Sequence, residues 1–142
     1  MENVAEVNQS DNSSQNEARV RQIGDNNSGA IEQNDQSSLN TASVNQSGSV
    51  LKATITQETN STGNQARSIQ FGNGNTGAIE QDMTSGGMGV GNMADLYQQG
   101  NGNVSTSITQ NDNSYSNRAF LNQHGNGNRE RTFLRTARRS TT

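Results

Sequence analysis

The stretch ARVRQIGDNNSGAIEQ, residues 18–33, returns as ARSIQFGNGNTGAIEQ, residues 66–81, with ten of its sixteen positions identical. A shorter frame lies beneath this pair: Asn, a small residue, an aliphatic residue and Gln, each separated by one variable position. Eleven such units close near residues 9, 22, 33, 46, 57, 70, 81, 98, 110, 123 and 134. The first steps alternate between 13 and 11 residues, so the true period is 24 residues.

The spacing inside each unit is that of a β-strand. Similar residues recur at every second position, which is the strand period and not the 3.6-residue period of a helix. Small and aliphatic residues share one face with the flanking Asn and Gln, whereas Arg, Glu, Ser and Thr occupy the other. We therefore expect one buried face and one solvated face.

The links between units alternate in the same way. Even-numbered units are followed by a short link with Gly two places after the Gln, where a tight turn needs a positive φ. The predicted turn glycines are Gly24, Gly48, Gly72, Gly100 and Gly125. Odd-numbered units are followed by a longer Ser, Asp and Asn link, which is expanded at residues 82–91 into what we expect to be a protruding loop.

One strand, a wide turn, a second strand and a tight turn make one rung. A single rung offers too little apolar surface to be stable alone, so rungs must stack. The predicted fold is all-β, a stacked β-arch or β-solenoid of 24-residue rungs with two strands each and about 5.5 rungs, whose parallel in-register cross-β sheets assemble into a fibril. Residues 1–134 form this single repeat domain, and residues 135–142 form a basic tail.

The inward face carries many amides, and an unpaired buried amide costs on the order of 1–3 kcal/mol. Superposed amides avoid this cost by donating and accepting along the stack. The predicted amide ladders comprise Asn16, Gln22, Asn27, Gln33, Asn40, Gln46, Gln57, Asn64, Gln70, Asn75, Gln81, Asn92, Gln98, Gln110, Asn117 and Gln123. The predicted small and apolar inward residues are Ala5, Val7, Ala18, Val20, Gly29, Ile31, Ala42, Val44, Ala53, Ile55, Ala66, Gly77, Ile79, Ala94, Leu96, Ile108, Ala119 and Leu121.

Three units depart from the frame. In unit six Ser68 takes the apolar position and Ile69 lies one place away, so we expect a weaker or shifted strand there. Unit nine, residues 104–110, fits with one extra residue before it, and unit eleven, residues 128–134, is a degenerate copy.

Composition excludes several other classes of protein. The chain has 22 Asn and 14 Gln, no Cys, and only 21 Leu, Ile, Val and Phe among 142 residues, so a conventional core, a disulfide framework and a thiolate metal site are not expected. Such a polar chain could be disordered, but its net charge of −3 supplies little self-repulsion. Residues 129–142 are basic, and no membrane span or signal peptide is recognisable.

No catalytic, cofactor or metal site is predicted. The GNGN stretches lack the Lys-Ser of a phosphate loop, and they are interpreted as turns. His124 is the single histidine, and residues 111–113 do not match a calcium loop. The outward charges Arg19, Arg21, Glu32, Arg67 and Glu80 are expected to moderate sheet association.

The ends of such a stack favour polymerisation. No capping helix is recognisable before Asn3, so we expect open edges that make head-to-tail contacts. Two alternatives are a monomeric β-solenoid adhesin or ice-binding module, which would need capped ends or a regular Thr array, and an enzyme on a β-helix, which would need an acid, base or nucleophile cluster.

The short-link halves resemble a known family. They read Gln-x-Gly-x-x-Asn-x-Gly-x-x-x-Gln at residues 22–33 and again at residues 70–81, and this resembles the curlin repeat of bacterial curli subunits. A Ser that the family has six places before the first Gln is Asn here, at Asn16 and Asn64, and the family's N-terminal secretion-targeting segment is not recognisable.

The resemblance implies a secreted structural protein at the surface of a bacterium. It implies a functional amyloid fibre of biofilm matrix and surface adhesion, not an enzyme, with no cofactor, nucleic acid or small-molecule substrate. The implied partners are other copies of the chain, a nucleator subunit and the outer-membrane secretion and chaperone machinery. Whether the chain is the major subunit or the nucleator stays open.

Overall fold

The computed structural model describes residues 2–82, 91–105, 107–111, 116–130 and 133–136. Every regular element within these ranges is a β-strand, and the strands pair in parallel. The predicted all-β stack is confirmed. Most of the loop predicted at residues 82–91 lies outside the described residues, as does the tail from residue 137 onwards.

The strands follow the predicted units. The described residues contain β1 (Val4–Asn8), β2 (Glu17–Asp25), β3 (Ser28–Glu32), β4 (Thr41–Ser49), β5 (Lys52–Glu58), β6 (Gln65–Asn73), β7 (Thr76–Asp82), β8 (Met93–Asn101), β9 (Val104–Ser105), β10 (Ile108–Asn111), β11 (Arg118–His124), β12 (Arg129–Glu130) and β13 (Phe133–Thr136). Units nine and eleven are each represented by two short strands.

Two sheets face each other across a thin core. The odd sheet has the order β1-β3-β5-β7-β10-β13, with β9 pairing β7 and β12, and the even sheet has the order β11-β8-β6-β4-β2. Val20 aligns with Val44 and Gln22 with Gln46, which is a rung of 24 residues. The chain therefore winds as a β-solenoid of about five turns whose equivalent residues superpose.

Unit six keeps its register, so the expected shift of this strand is wrong. Val44 aligns with Ser68, and Ser68 aligns with Leu96, while Ala66 and Gln70 stay in their own columns. A slip of one residue would turn every side chain of the strand to the opposite face and expel Gln70 from the core. Ser68 is instead fully buried, and Ile69 lies on the outer face.

Unit nine has its extra residue inside the unit and not before it. Thr76 aligns with Val104, but Ile79 aligns with Ile108, so one residue is added between β9 and β10. Asn103 therefore takes the opening Asn position of this unit. An insertion at that point leaves both flanking strands in register.

Unit eleven repeats the insertion and closes one residue later than predicted. Phe133 aligns with Ile108, and Arg135 aligns with Gln110. The backbone register thus puts Arg135, and not Leu134, at the closing position. β13 continues to Thr136, two residues beyond the predicted end of the repeat domain.

The core is a narrow strip between the sheets. Ile31, Ile55, Ile79 and Ile108 form a fully buried column in the odd sheet, facing small and aliphatic residues of the even sheet. Ala5 and Val7 were predicted to be buried, but both are exposed, because β1 is an edge strand. The side chain of Val7 keeps the orientation of Ile31, its aligned residue, and is 46% exposed.

Candidate assembly site

The described structure places most of the predicted inward residues between the sheets. Buried amides are Asn27, Gln33, Asn40, Gln46, Gln57, Asn64, Gln70, Asn75, Gln81, Asn92, Gln98, Gln110 and Gln123, and half-buried ones are Asn16, Gln22 and Asn117. Buried small and apolar residues are Gly29, Ile31, Ala42, Val44, Ala53, Ile55, Ala66, Gly77, Ile79, Ala94, Leu96, Ile108 and Ala119, and half-buried ones are Ala18, Val20 and Leu121.

The odd sheet contains a continuous glutamine column. Each side-chain Nε2 donates to the Oε1 of the glutamine in the next rung, with N–O distances of 2.6–2.8 Å. The column runs through Gln9, Gln33, Gln57, Gln81 and Gln110. All four bonds point the same way, so the column has a donor end and an acceptor end.

The even sheet contains a second column of the same polarity. It runs through Gln22, Gln46, Gln70, Gln98 and Gln123, with N–O distances of 2.7–2.9 Å. Each Nε2 also donates across the core to a backbone carbonyl of the facing sheet, as Gln70 does to Lys52 at 2.9 Å. The glutamines therefore join successive rungs and also hold the two sheets of each rung together.

The asparagines bond differently from the predicted amide ladders. The Oδ1 of each accepts from the backbone N–H of the equivalent residue one rung on, as Asn40 accepts from Asn64 at 2.8 Å. Its Nδ2 donates to a turn of the next rung, as Asn27 does to the Gly48 carbonyl at 3.0 Å. The asparagine side chain is too short to reach its neighbour's amide while serving both, so these columns secure the turns.

Buried serines in the wide turns were not identified from the sequence. Ser37 and Ser61 are fully buried, and their hydroxyls accept from the Nδ2 of Asn16 and Asn40 at 2.9 and 2.8 Å. Their separation of one 24-residue period was the available signal. The wide turns are therefore part of the repeat and not only solvated links.

Leu51 interrupts the asparagine column of the odd sheet. It occupies an Asn position, is 1% exposed, and its backbone N–H still donates to Asn27 Oδ1 at 3.0 Å. The column resumes at Asn75, and the two Asn positions that the sequence frames missed, Asn103 and Asn128, continue it. An apolar side chain is tolerated here because the interaction with the rung below needs only the backbone.

The tight turns require glycine for two reasons. Gly24, Gly48, Gly72, Gly100 and Gly125 all have φ between +101° and +145°. A Cβ at Gly48 would also lie 1.7 Å from the Gly72 carbonyl oxygen in the next rung. The turns thus approach each other as closely as the backbone permits.

Gly29 and Gly77 occupy the same repeat position but differ in their surroundings. A Cβ at Gly29 would lie 3.0 Å from Val20 Cγ1, whereas one at Gly77 would lie 2.2 Å from Leu96 Cδ2. Leu96 stands where Val20 and Val44 stand in the lower rungs. The larger leucine fills the space that glycine leaves.

The outer face of the odd sheet concentrates negative charge. Burial and the nearby carboxylates of Glu32, Asp35 and Asp82 raise the pKa of Glu58, against a hydrogen bond from Asn34 that lowers it. On the even sheet, Arg67 Nε donates to Asp95 Oδ1 at 2.9 Å. Within the described ranges, this is the one side-chain ion pair.

The described residues offer no other chemical site. No group of three or more His, Cys, Asp or Glu side chains within them is placed to hold a metal ion. Among the same residues, no helix has the length and apolarity needed to cross a membrane.

Comparison with known proteins gave one family. The family of the curlin-associated repeat matches residues 14–48, which comprise β2, β3, most of β4 and the wide turns beside them. No curated protein and no solved structure matched the chain. Because the matched segment has the same register and the same glutamine bonding as the rungs that follow it, the chain belongs to the curlin family.

Proposed function

We propose that the chain is the structural subunit of an extracellular, curli-like amyloid fibre that grows by adding copies head to tail. Its main partner is then another copy of itself. A role in biofilm matrix and surface adhesion, and export by a secretion and chaperone system, accompany this proposal through the curlin family.

The polarity of the glutamine columns carries the proposal. Every glutamine donates in the same direction, so the stack presents amide oxygens at one end and amide N–H groups at the other. The edge strands β2 and β11 each have one neighbour in the even sheet. A second copy placed in the same orientation would extend both the backbone ladder and the glutamine column.

The test is assembly of the purified full chain. We expect thioflavin-positive filaments in electron micrographs and a fibre reflection near about 4.8 Å, the spacing of hydrogen-bonded strands. Val20→Asp alters the inward face of the edge strand β2 and should block elongation, whereas Arg21→Asp alters the outer face of the same strand and should not. A folded chain that stays monomeric at every concentration would contradict the proposal.

The nucleator role has one observation in its favour. Arg135 aligns with Gln110, so the odd glutamine column does not continue with glutamine at the last described strand. A nucleator would shorten the lag phase of another curlin-type subunit when present in trace amounts, while forming few filaments alone. Filament formation by the chain alone at a rate similar to that subunit favours the fibre-forming role.

A further inference from the structure

The 48-residue repeat places like charges on alternate rungs. Arg19 aligns with Ser43, and Ser43 aligns with Arg67, so the two arginines lie in one column on the outer face of the even sheet. Glu32, Thr56 and Glu80 form the corresponding column on the outer face of the odd sheet. Like charges on adjacent rungs would repel at roughly 4.8 Å, and the neutral residues between them remove that contact.

The two columns match in spacing and oppose in charge. Each has its charges two rungs apart, about 9.6 Å when each rung rises about 4.8 Å. Arg19 and Arg67 are exposed, and with Arg21, Ser43 and Asn45 they line a shallow groove on the even sheet.

The carboxylates on the odd sheet have few compensating charges. Glu58 and Asp82 align with each other in the column next to Glu32 and Glu80. Within the described part of the chain, none of these four acids has a basic side chain in salt-bridge contact. This face therefore offers negative charge to a partner.

We infer that the outer face of the odd sheet binds the arginine groove on the even sheet of a second copy, so that stacks associate side by side. Arg19 and Arg67 pair with Glu32 and Glu80 of the neighbouring stack. Arginine and carboxylate groups suit such pairing because the guanidinium presents two parallel donors. The Arg67 bond to Asp95 uses Nε only and leaves the terminal nitrogens available.

Side-by-side pairing gains strength through repetition. A single exposed ion pair contributes little, but a filament carries the same two pairs in every subunit, and all of them engage together. Because the two faces differ, the contact is heterologous and extends into a layer of filaments. The inference builds on the proposed fibre, but the faces exist in each folded subunit.

Charge reversal tests the inference. We expect R19E/R67E filaments and E32R/E80R filaments to form but to stay single, a mixture of the two kinds to bundle, and the quadruple variant R19E/E32R/R67E/E80R to bundle by itself. E2R/D25R adds the same positive charge as E32R/E80R outside both columns and should bundle like the unaltered chain. Circular dichroism checks that each variant folds, and electron microscopy gives bundle width.

Salt gives a second measurement that needs no variant. Raising ionic strength from about 0.01 M to about 1 M shortens the Debye length from about 30 Å to about 3 Å, so bundles should separate into single filaments while thioflavin fluorescence persists. Bundles that survive both salt and R19E/R67E would overturn the inference and leave the fibre function standing. So would single filaments that capture a polyanion such as heparin, with no pairing in the mixture.

Failure to form any filament would instead count against the proposed function. Sedimentation of the two soluble charge variants, alone and mixed, then decides the inference. A salt-sensitive complex only in the mixture would support face pairing, and its absence at high concentration would overturn it.

Discussion

Gln33 donates its Nε2 hydrogen to Gln57 Oε1 at 2.8 Å, and both side chains are fully buried although they lie 24 residues apart. Gln57→Ala would leave this donor and the Gln81 acceptor unpaired and open a cavity. We expect the free energy of unfolding to fall by about 3 kcal/mol, measured by urea denaturation. Gln65→Ala on the exposed outer face is the control and should change it by no more than about 0.5 kcal/mol.

The tight-turn glycines allow strain and steric clash to be separated. Gly102 has φ +64° and nothing within 4 Å of an added Cβ, so Gly102→Ala should cost only about 1 kcal/mol. Gly48→Ala adds a clash with the Gly72 backbone and should cost at least about 3 kcal/mol. Equal losses of stability in thermal denaturation would show that the turns do not approach as closely as described.

Gly29 and Gly77 form a matched pair for packing. Gly29→Ala requires a shift of a few tenths of an ångström by Val20 and should change stability by less than about 1 kcal/mol, whereas Gly77→Ala overpacks Leu96 and should cost about 1–3 kcal/mol. Leu96→Val in the Gly77→Ala background should recover part of the loss. If both alanine variants behaved alike in urea denaturation, the fit of Leu96 into this space would be refuted.

Ser68 has a buried hydroxyl without a hydrogen-bond partner. Ser68→Ala removes that unpaired group and should raise the free energy of unfolding by about 1 kcal/mol. Ser43→Ala, on the outer face of the preceding strand, is the control and should have little effect. A destabilised Ser68→Ala variant would mean that the hydroxyl is bonded in solution.

Val50 has φ +57° and is 61% exposed, an unfavourable conformation for a β-branched residue. Asn26 occupies the equivalent position one rung earlier with φ +55°. Val50→Asn should therefore stabilise the chain by about 1 kcal/mol, as a rise in the urea midpoint. Val104→Asn, a half-buried strand position outside this turn, is the control, and an equal gain there would contradict the explanation.

The candidate site was predictable where the sequence repeats side chains that act on each other. Gln46 and Gln70 lie one period apart, and their mutual bond follows from superposition. The asparagine bonds did not follow, because Asn40 contacts a backbone N–H and a serine hydroxyl that no periodic pairing of amides indicates. Ser37 was missed because serine in a link is ordinarily a solvated residue.

The sequence by itself determined the rung, the two parallel sheets and the glutamine columns. The reason is that a two-residue period within units and a 24-residue period between them leave one arrangement in which like residues superpose. Tertiary structure alone decided the register of unit six, the position of the added residue in unit nine and the alignment of Arg135 with Gln110. Each of these depends on whether the neighbouring rungs hold a strand in register against its local sequence, and that is a property of the whole stack.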